Sequence, residues 1–357
     1  MGKNNIKILL LLVLIYQGYC TACKENYHEL NFSKFPNTVN LKGKAVGIKE
    51  VIKGCFPNCY DSLLILTSVQ GYYKQILLYN LKSFKYLGSA AKLGRGPHEI
   101  SFPGHIVINK KTGLIWCQDL GKRLLWKFEI DSILANPNYF PDVKSEMPGI
   151  LAILQLEVYS DSVFSFTGNN PDTLISFFDL QGNIINHLQI ENRINLYSIA
   201  DLSFETKNLM AYYLYAINRK NGRIAIIYNF SDVIVFLDKN GNIIRKLNGP
   251  GSTNQIPEYG NANKIMTNSL IESDDNYVYC LYKNKKRCDE ITGMIPNNPI
   301  ELNVYNWNGE PLLKIFFDHP VQTFTIDHIN KRIITFSPDI DDLMIYEFSM
   351  EKLLNKK

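Results

Sequence analysis

Apolar residues recur at every second position in short runs along most of this chain, and a polar turn follows each run. Good examples are Thr173–Gly182 (TLISFFDLQG), Val233–Gly241 (VIVFLDKNG) and Leu302–Gly309 (LNVYNWNG). A period of two followed by Asp, Asn and Gly is typical of β-strands that end in tight turns. The pattern therefore predicts an all-β fold.

The same unit occurs six times. Weaker copies lie at Ile76–Asn80, Leu124–Asp131 and Asp342–Glu347, and a second apolar strand precedes every copy. A repeat of about 40 to 70 residues with several strands is typical of a propeller blade with insertions. We therefore expect a six-bladed β-propeller, with Ile194–Tyr215 as the best candidate for a helical excursion.

The last unit needs an outer strand from elsewhere, because few residues follow Phe348. An unpaired blade edge would expose backbone donors and acceptors, so propellers close by pairing with the other terminus. The sequence predicts a closing strand within Tyr27–Leu41, with His28–Phe32 favoured. Residues 23–45 would then be the tether and closing strand, 46–350 the single propeller domain beginning near Val46–Val51, and 351–357 a polar tail.

The amino terminus has the features of a targeting segment. Lys3 and Lys7 precede the apolar run Ile8–Tyr16, which is shorter than the ~20 residues of a membrane-spanning helix. Cys20-Thr-Ala-Cys23 resembles a bacterial lipobox, although that pattern prefers Leu where Cys20 stands. Residues 1–22 are expected to be a lipoprotein signal peptide and Cys23 the lipid attachment site.

We expect the chain to be an outer-membrane lipoprotein of the cell envelope, exposed on the surface. Lys24-Glu25 is similar to the short charged tags that direct Bacteroidetes lipoproteins there. Ordinary secretion or a periplasmic location is the alternative. Membrane contact is expected through the lipid anchor only.

Net charge argues against nucleic acid as a partner. The chain of 357 residues carries a formal charge of only +4, whereas nucleic-acid proteins usually concentrate basic residues in one stripe. The expected partner is an envelope protein, a peptide or a glycan.

Four cysteines are candidates for local disulfides in an oxidising compartment. Cys55 and Cys59 flank a turn-prone tripeptide, and Cys280 and Cys288 flank a polar loop. Cys117 lies in an apolar run and is expected to be a buried free thiol. The spacing of the cysteines does not suit zinc, and no metal site is expected.

One stretch is rich in turn residues: Lys92–Gly104 (KLGRGPHEISFPG). It falls between the outer strand of the first blade and the inner strand of the second, and a shorter version lies at Leu247–Gly251. Its predicted role is an inter-blade turn built by Gly94, Arg95, Gly96, Pro97 and Glu99. The glycines would supply positive φ, Glu99 would accept backbone hydrogen bonds, and Arg95 would clamp a neighbouring group. Ile100 and Phe102 would fill the space between blades.

A catalytic interpretation of that stretch remains open. Arg95, His98, Glu99 and His105 would line an axial pocket if the turn lies near the centre of the ring, and His98 with Glu99 could form an acid–base pair. The pattern lacks the features of phosphate-binding loops, and no HExxH or GxSxG motif occurs. No cofactor is expected, and catalytic residues cannot be assigned.

Gly94–Glu99 (GRGPHE), on a lipobox-bearing chain with six predicted blades, resembles the TolB-like six-bladed propeller lipoproteins of Bacteroidetes. Gly88–Phe128 is also similar to the NHL-type propeller repeat. His98 departs from this pattern, which often has Gly there. The resemblance implies a non-catalytic binding or scaffold propeller that faces the envelope and uses its inter-blade loops. A propeller hydrolase or lyase with an axial metal or acid–base site is the alternative.

Overall fold

A computed structural model provides the structure of the chain. It describes residues 28–31, 35–50, 52–149, 153–168, 173–189, 212–249, 265–286, 300–338 and 342–348. Cys23 and the predicted polar tail lie outside the described residues. In the part described, no helix combines the length and the apolar character needed to cross a membrane.

The structure contains twenty-six strands and one short helix among these residues. Before the first blade come β1 (His28–Asn31), β2 (Asn37–Leu41) and β3 (Lys44–Val46). Blade 1 contains β4 (Gly54–Tyr60), β5 (Leu63–Gln70), β6 (Lys74–Asn80) and β7 (Tyr86–Lys92). Blade 2 contains β8 (Pro103–Ile108), β9 (Ile115–Asp119), β10 (Leu124–Phe128), helix α1 (Ile130–Ala135) and β11 (Lys144–Glu146). Blade 3 contains β12 (Ile153–Val158), β13 (Val163–Gly168), β14 (Thr173–Asp179) and β15 (Ile184–Gln189).

The remaining blades follow in chain order. Blade 4 contains β16 (Tyr213–Ile217), β17 (Ile224–Tyr228), β18 (Val233–Leu237) and β19 (Ile243–Asn248). Blade 5 contains β20 (Ile265–Ser273), β21 (Tyr277–Lys286), β22 (Glu301–Asn306) and β23 (Pro311–Phe317). Blade 6 contains β24 (Thr323–Asp327), β25 (Arg332–Ser337) and β26 (Asp342–Glu347). In each blade the chain runs as an antiparallel meander from the inner strand outward.

The core lies between the blades rather than inside any one of them. Each of six apolar clusters contains residues from two successive blades, and the six together join blades 1 to 6 and return to blade 1. At the last of these contacts Phe336 of blade 6 and Leu66 of blade 1 belong to one fully buried cluster. This arrangement confirms the predicted six-bladed propeller.

An amino-terminal strand closes the ring, as predicted, but it is a different strand from the one favoured. β3 pairs antiparallel with β26, with Ala45 opposite Met344, and supplies the outer strand of blade 6. The predicted range Tyr27–Leu41 was wrong, because β3 follows it, and so was the favoured segment: β1, which begins at His28, runs parallel to β19 of blade 4. β2 runs parallel to β23 of blade 5. The amino-terminal residues therefore border three successive blades.

Two inner strands also differ from the sequence prediction. Blade 1 begins at Gly54 rather than near Val46–Val51, because Val46 belongs to the closing strand. The predicted helical excursion Ile194–Tyr215 ends within β16, the inner strand of blade 4. Its residues up to 211 lie outside the described residues.

The predicted Cys55–Cys59 disulfide is wrong. Both cysteines lie on the continuous strand β4 and both thiols are free. Four residues along a strand span about 13 Å, well beyond the Cα separation of a disulfide. Cys280 is a buried free thiol, while Cys288 lies outside the described residues. Cys117 is buried and free, as predicted.

Two glycines beside the closing strand provide a test of ring closure. A Cβ on Gly43 would lie 2.6 Å from the Tyr346 ring of β26, whereas a Cβ on Gly47 would meet nothing within 4 Å. We expect Gly43→Ala to lower the free energy of unfolding by on the order of 1–3 kcal/mol, because the ring must move. Gly47→Ala should have little effect. Denaturant unfolding of both variants checks this, and equal loss in the two would contradict it.

Candidate functional site

The two faces of the ring are defined by the inner strands β4, β8, β12, β16, β20 and β24. We call the face where these strands begin the upper face and the face where they end the lower face. Because each blade is a meander, the crossings from one blade to the next lie on the upper face, together with the turns between second and third strands. The turns that follow the inner strands lie on the lower face.

The glycine-rich turn lies on the upper face between blades 1 and 2, and Glu99 organises it. The Glu99 carboxylate accepts a hydrogen bond from the Gly96 amide (2.9 Å) and forms an ion pair with Lys92 (2.8 Å). Lys92 and the Gly96 amide together hold the pKa of the Glu99 carboxyl below its usual value. The predicted hydrogen bond from the turn to Glu99 is therefore present.

The two glycines serve a different purpose from the one predicted. Neither Gly94 nor Gly96 has a positive φ. Instead, a Cβ on Gly94 would lie 1.9 Å from a carboxylate oxygen of Glu99. Gly249, in the corresponding crossing after blade 4, leaves room in the same way for the Asp232 carboxylate, at 2.1 Å. Gly94 and Gly249 thus each leave room for a carboxylate in a tight crossing.

A lysine takes the clamping role that was predicted for Arg95. Lys122 Nζ donates to the carbonyl oxygens of Glu99 (2.6 Å) and Gly96 (3.1 Å). Arg95 is exposed. The prediction for Arg95 was wrong because Lys122, in a turn of blade 2, already holds these carbonyl oxygens.

Of the two apolar residues after the turn, Ile100 packs between the blades and Phe102 does not. Ile100 is fully buried in the cluster between blades 1 and 2, as predicted. Phe102 is 62% exposed, so its predicted role between the blades was wrong. The Asp119 carboxylate accepts hydrogen bonds from the Ser101 and Phe102 amides and fixes the chain here.

The predicted axial pocket is not brought together. His98 stacks on Phe140, which packs against Trp126 in the third strand of blade 2, away from the axis. Glu99 is held by Lys92 within the turn. Among the four residues of that prediction, His105 is the one on an inner strand, β8.

His105 bridges the inner strands of blades 2 and 3. Its Nε2 donates to the Ile153 carbonyl oxygen (3.2 Å), and its backbone amide donates to the Gln118 side chain (2.8 Å). Burial lowers the pKa of the imidazole, although the bond to Ile153 opposes this shift. His105 therefore fits a neutral structural donor better than a general acid.

A cluster of charged residues lies where the inner strands end, and the sequence prediction missed it. Lys110 Nζ forms an ion pair with Glu272 at 2.7 Å. Lys110 follows β8 of blade 2 and Glu272 lies in β20 of blade 5. Blades 2 and 5 are opposite in a ring of six, so this ion pair crosses the axis. It therefore lies at the lower end of the ring's axis.

Glu157 and Arg219 complete this axial cluster from blades 3 and 4. Burial raises the pKa of the Glu157 carboxyl and the Glu272 charge adds to that effect, while Gln155, Lys110 and Arg219 oppose it. The Arg219 guanidinium donates to the Val158 carbonyl oxygen. Two cations thus balance two carboxylates. Within the described ranges, no three His, Cys, Asp or Glu side chains are grouped closely enough to hold a metal ion.

Side chains on the lower face link every pair of neighbouring blades. Starting from blades 1 and 2, the successive pairs are Tyr60 packed on Gly113, Asn109 with Asp161, Arg219 with Val158, Asn218 with Asp275, Asp274 with His328, and Leu81 with Arg332. Together with the axial ion pair, these contacts make the lower face a closed and bonded ring.

The upper face carries exposed apolar side chains on the neighbouring blades 1 and 2. On blades 1 and 2 these are Phe102 (62% exposed), Tyr73 (55%), Phe56 (47%) and Leu120 (38%). The Leu120 amide donates to the Phe102 carbonyl oxygen, so these two residues are adjacent. Tyr212 adds an exposed ring at the start of blade 4, whereas Tyr213 and Tyr215 next to it in β16 are buried. Exposed apolar groups in one area commonly mark an interaction site.

Comparison with known families agrees with this architecture. The family described as TolB-like 6-blade propeller-like matches residues 57–329, from the first inner strand to the last. The chain belongs to this family. A search of curated proteins found no match.

Two solved structures of Bacteroides proteins are similar in fold. One is a member of the DUF4221 family from Bacteroides vulgatus, with a TM-score of 0.57 and 12% identity over 86% of this chain and 97% of that one. The other, from Bacteroides fragilis, is named as an exported protein, with a TM-score of 0.52 and 10% identity over 87% and 99% of the two chains. At these identities the likeness concerns the fold alone.

The environment of His105 predicts a pH dependence of stability. Since burial lowers its pKa from 6.5 in the folded state, the unfolded chain takes up a proton at a higher pH than the folded chain does. The contribution of His105 to the free energy of unfolding should be complete above pH 6.5 and fall as the pH drops below it. Thermal unfolding at several pH values, for the natural chain and His105→Gln, measures the difference. A difference independent of pH would contradict this.

Proposed function

We propose that this protein is an exported, lipid-anchored binding or scaffold propeller of the bacterial cell envelope, and that its upper face recognises a protein, peptide or glycan. The observation that carries the proposal is the exposed apolar group on that face of blades 1 and 2, formed by Phe56, Tyr73, Phe102 and Leu120. Aromatic side chains are the residues that most often anchor such contacts.

The difference between the two faces supports the same assignment. On the lower face side chains connect neighbouring blades, and the Lys110–Glu272 ion pair spans the axis there. The two longest connections between consecutive strands, 190–212 and 249–264, both join strands at the upper face. Loops that carry binding residues usually occupy one face of a rigid scaffold.

Export and anchoring rest on the amino-terminal sequence and on the fold. The lipobox-like Cys20-Thr-Ala-Cys23 follows an apolar run, and a similar fold occurs in a Bacteroides protein named as exported. β1 lies at the rim of blade 4, so a lipid on Cys23 would attach at the edge of the ring. The upper face would stay accessible in this arrangement.

Substitution on the upper face tests the binding role. We expect the double variant Tyr73→Ser with Phe102→Ser to bind at least about tenfold more weakly, because buried aromatic anchors dominate interface energies. Binding is measured on arrays of bacterial surface glycans and of peptides. Ile329→Ser is the matched control, because Ile329 is equally exposed (64%) but lies on the lower face.

The array experiment has two results that would contradict the proposal. One is binding by the natural chain that the double variant retains. The other is the absence of any glycan or peptide bound by the natural chain above background. Unfolding curves of the variants serve as the control for folding. They should match the curve of the natural chain, because all the substituted side chains are exposed.

Replacing the lipid attachment residue tests the anchor. Cys23→Ser should abolish metabolic incorporation of labelled palmitate and move the chain from the membrane fraction to the soluble envelope fraction, because its only proposed acyl site is gone. Cys59→Ser, at the cysteine inside the described fold that is partly accessible, is the control and should remain in the membrane fraction. Unchanged membrane association of Cys23→Ser would overturn the lipid anchor but not the binding role.

A further inference from the structure

The outer edges of the blades are protected unequally. β1 borders β19 of blade 4, β2 borders β23 of blade 5, and β3 closes blade 6. On blade 1, helix α1 packs against β7, with the Ile133 carbonyl oxygen 3.4 Å from the position of a Cβ on Gly88. On blade 2 the outer strand β11 is only three residues long.

Blade 3 is the exception. Its outer strand β15 has six residues and forms the end of its sheet, and no strand within the described ranges pairs with its outer edge. The amide of His187 donates to the side-chain oxygen of Asn186 (2.8 Å). The Asn186 side chain therefore accepts the hydrogen bond of one backbone amide in β15, and an incoming strand could replace it.

The composition of β15 lacks the usual defences of an open edge. Its sequence is IINHLQ, without Lys, Arg, Asp, Glu or Pro. By contrast β7 ends in Lys92 and β11 contains Lys144 and Glu146. Natural edge strands normally carry charges or proline to prevent pairing with another chain. Ile184 and Ile185 are instead 37% and 52% exposed.

We propose that β15 is a self-association surface, at which two copies of this chain pair antiparallel through their blade 3 edges. A twofold pairing brings identical strands together, and IINHLQ places no like charges opposite each other when it meets itself. Pairing would cover Ile184 and Ile185 and join two four-stranded sheets into one of eight strands. The outer edges of blades 4 and 5, which already accept β1 and β2, show that a blade of this ring tolerates an added strand.

Sedimentation of the chain from residue 24 onward, over a series of concentrations, tests this proposal. We expect a monomer at low concentration and a mass that doubles and then stays constant at high micromolar concentration. Ile185→Lys should remain monomeric, because each copy would then place a lysine in the pairing strand, and a charged edge strand resists pairing with another chain. Ile329→Lys is the control, because it makes the same substitution at an exposed isoleucine on the lower face. This variant should dimerise like the natural chain.

Hydrogen exchange shows where any association occurs. Amides in residues 184–189 should become protected as concentration rises in the natural chain but not in Ile185→Lys. A monomer at all concentrations would overturn the proposal, as would an open-ended polymer. Dimerisation that survives Ile185→Lys, or protection confined to the upper face, would place the contact elsewhere and would also overturn it.

Discussion

Apolar contact between neighbouring blades is the interaction on which the rest of this structure depends. A blade such as β16–β19 is buried on both faces, with Phe236 packed towards blade 5 and Val235 towards blade 3. A sheet of this kind is stable only with a neighbour on each side, so the series of blades has to close on itself. The closing strand β3, the six interfacial clusters and the bonded lower face all follow from that requirement.

The geometry separates stability from recognition. On the lower face side chains connect each blade to the next, and the axial cluster of Lys110, Glu157, Arg219 and Glu272 brings balanced charges together near the axis. On the upper face the crossings are fixed from within, by Glu99 in the first and by the close fit of Gly249 to Asp232 in the fourth. Their outer surfaces are thereby free to vary without disturbing the ring.

The sequence predicted what short-range patterns determine. Period-two apolar runs gave the blades, and Glu99 could be assigned to the Gly96 amide because the two are three residues apart. The Lys110–Glu272 pair joins residues 162 apart and appears only when the order of blades in the ring is known. Comparing the positions just after each inner strand would have been the one signal for it. Similarly, β1, β2 and β3 are all short strands, and only the geometry of the ring decides which one meets β26.

Proline explains another of the differences. Pro57 lies within β4 and led to the expectation of a turn between Cys55 and Cys59, since proline is unusual inside sheets. β4 is an inner strand, however, and has a neighbour on one side only, where Pro57 lies opposite Leu66. The other side faces the axis, where a missing amide hydrogen is harmless.

The pairing of β3 with β26 has a consequence for how the molecule is made. Ala45 is among the earliest residues of the fold to be synthesised, yet its partner Met344 is among the last. The final circular arrangement cannot exist while the chain is still being synthesised, because one half of the seam is missing until then. Folding must therefore end with a late step in which β3 pairs with β26. Blade 1 has no neighbour on its second side until that step is complete.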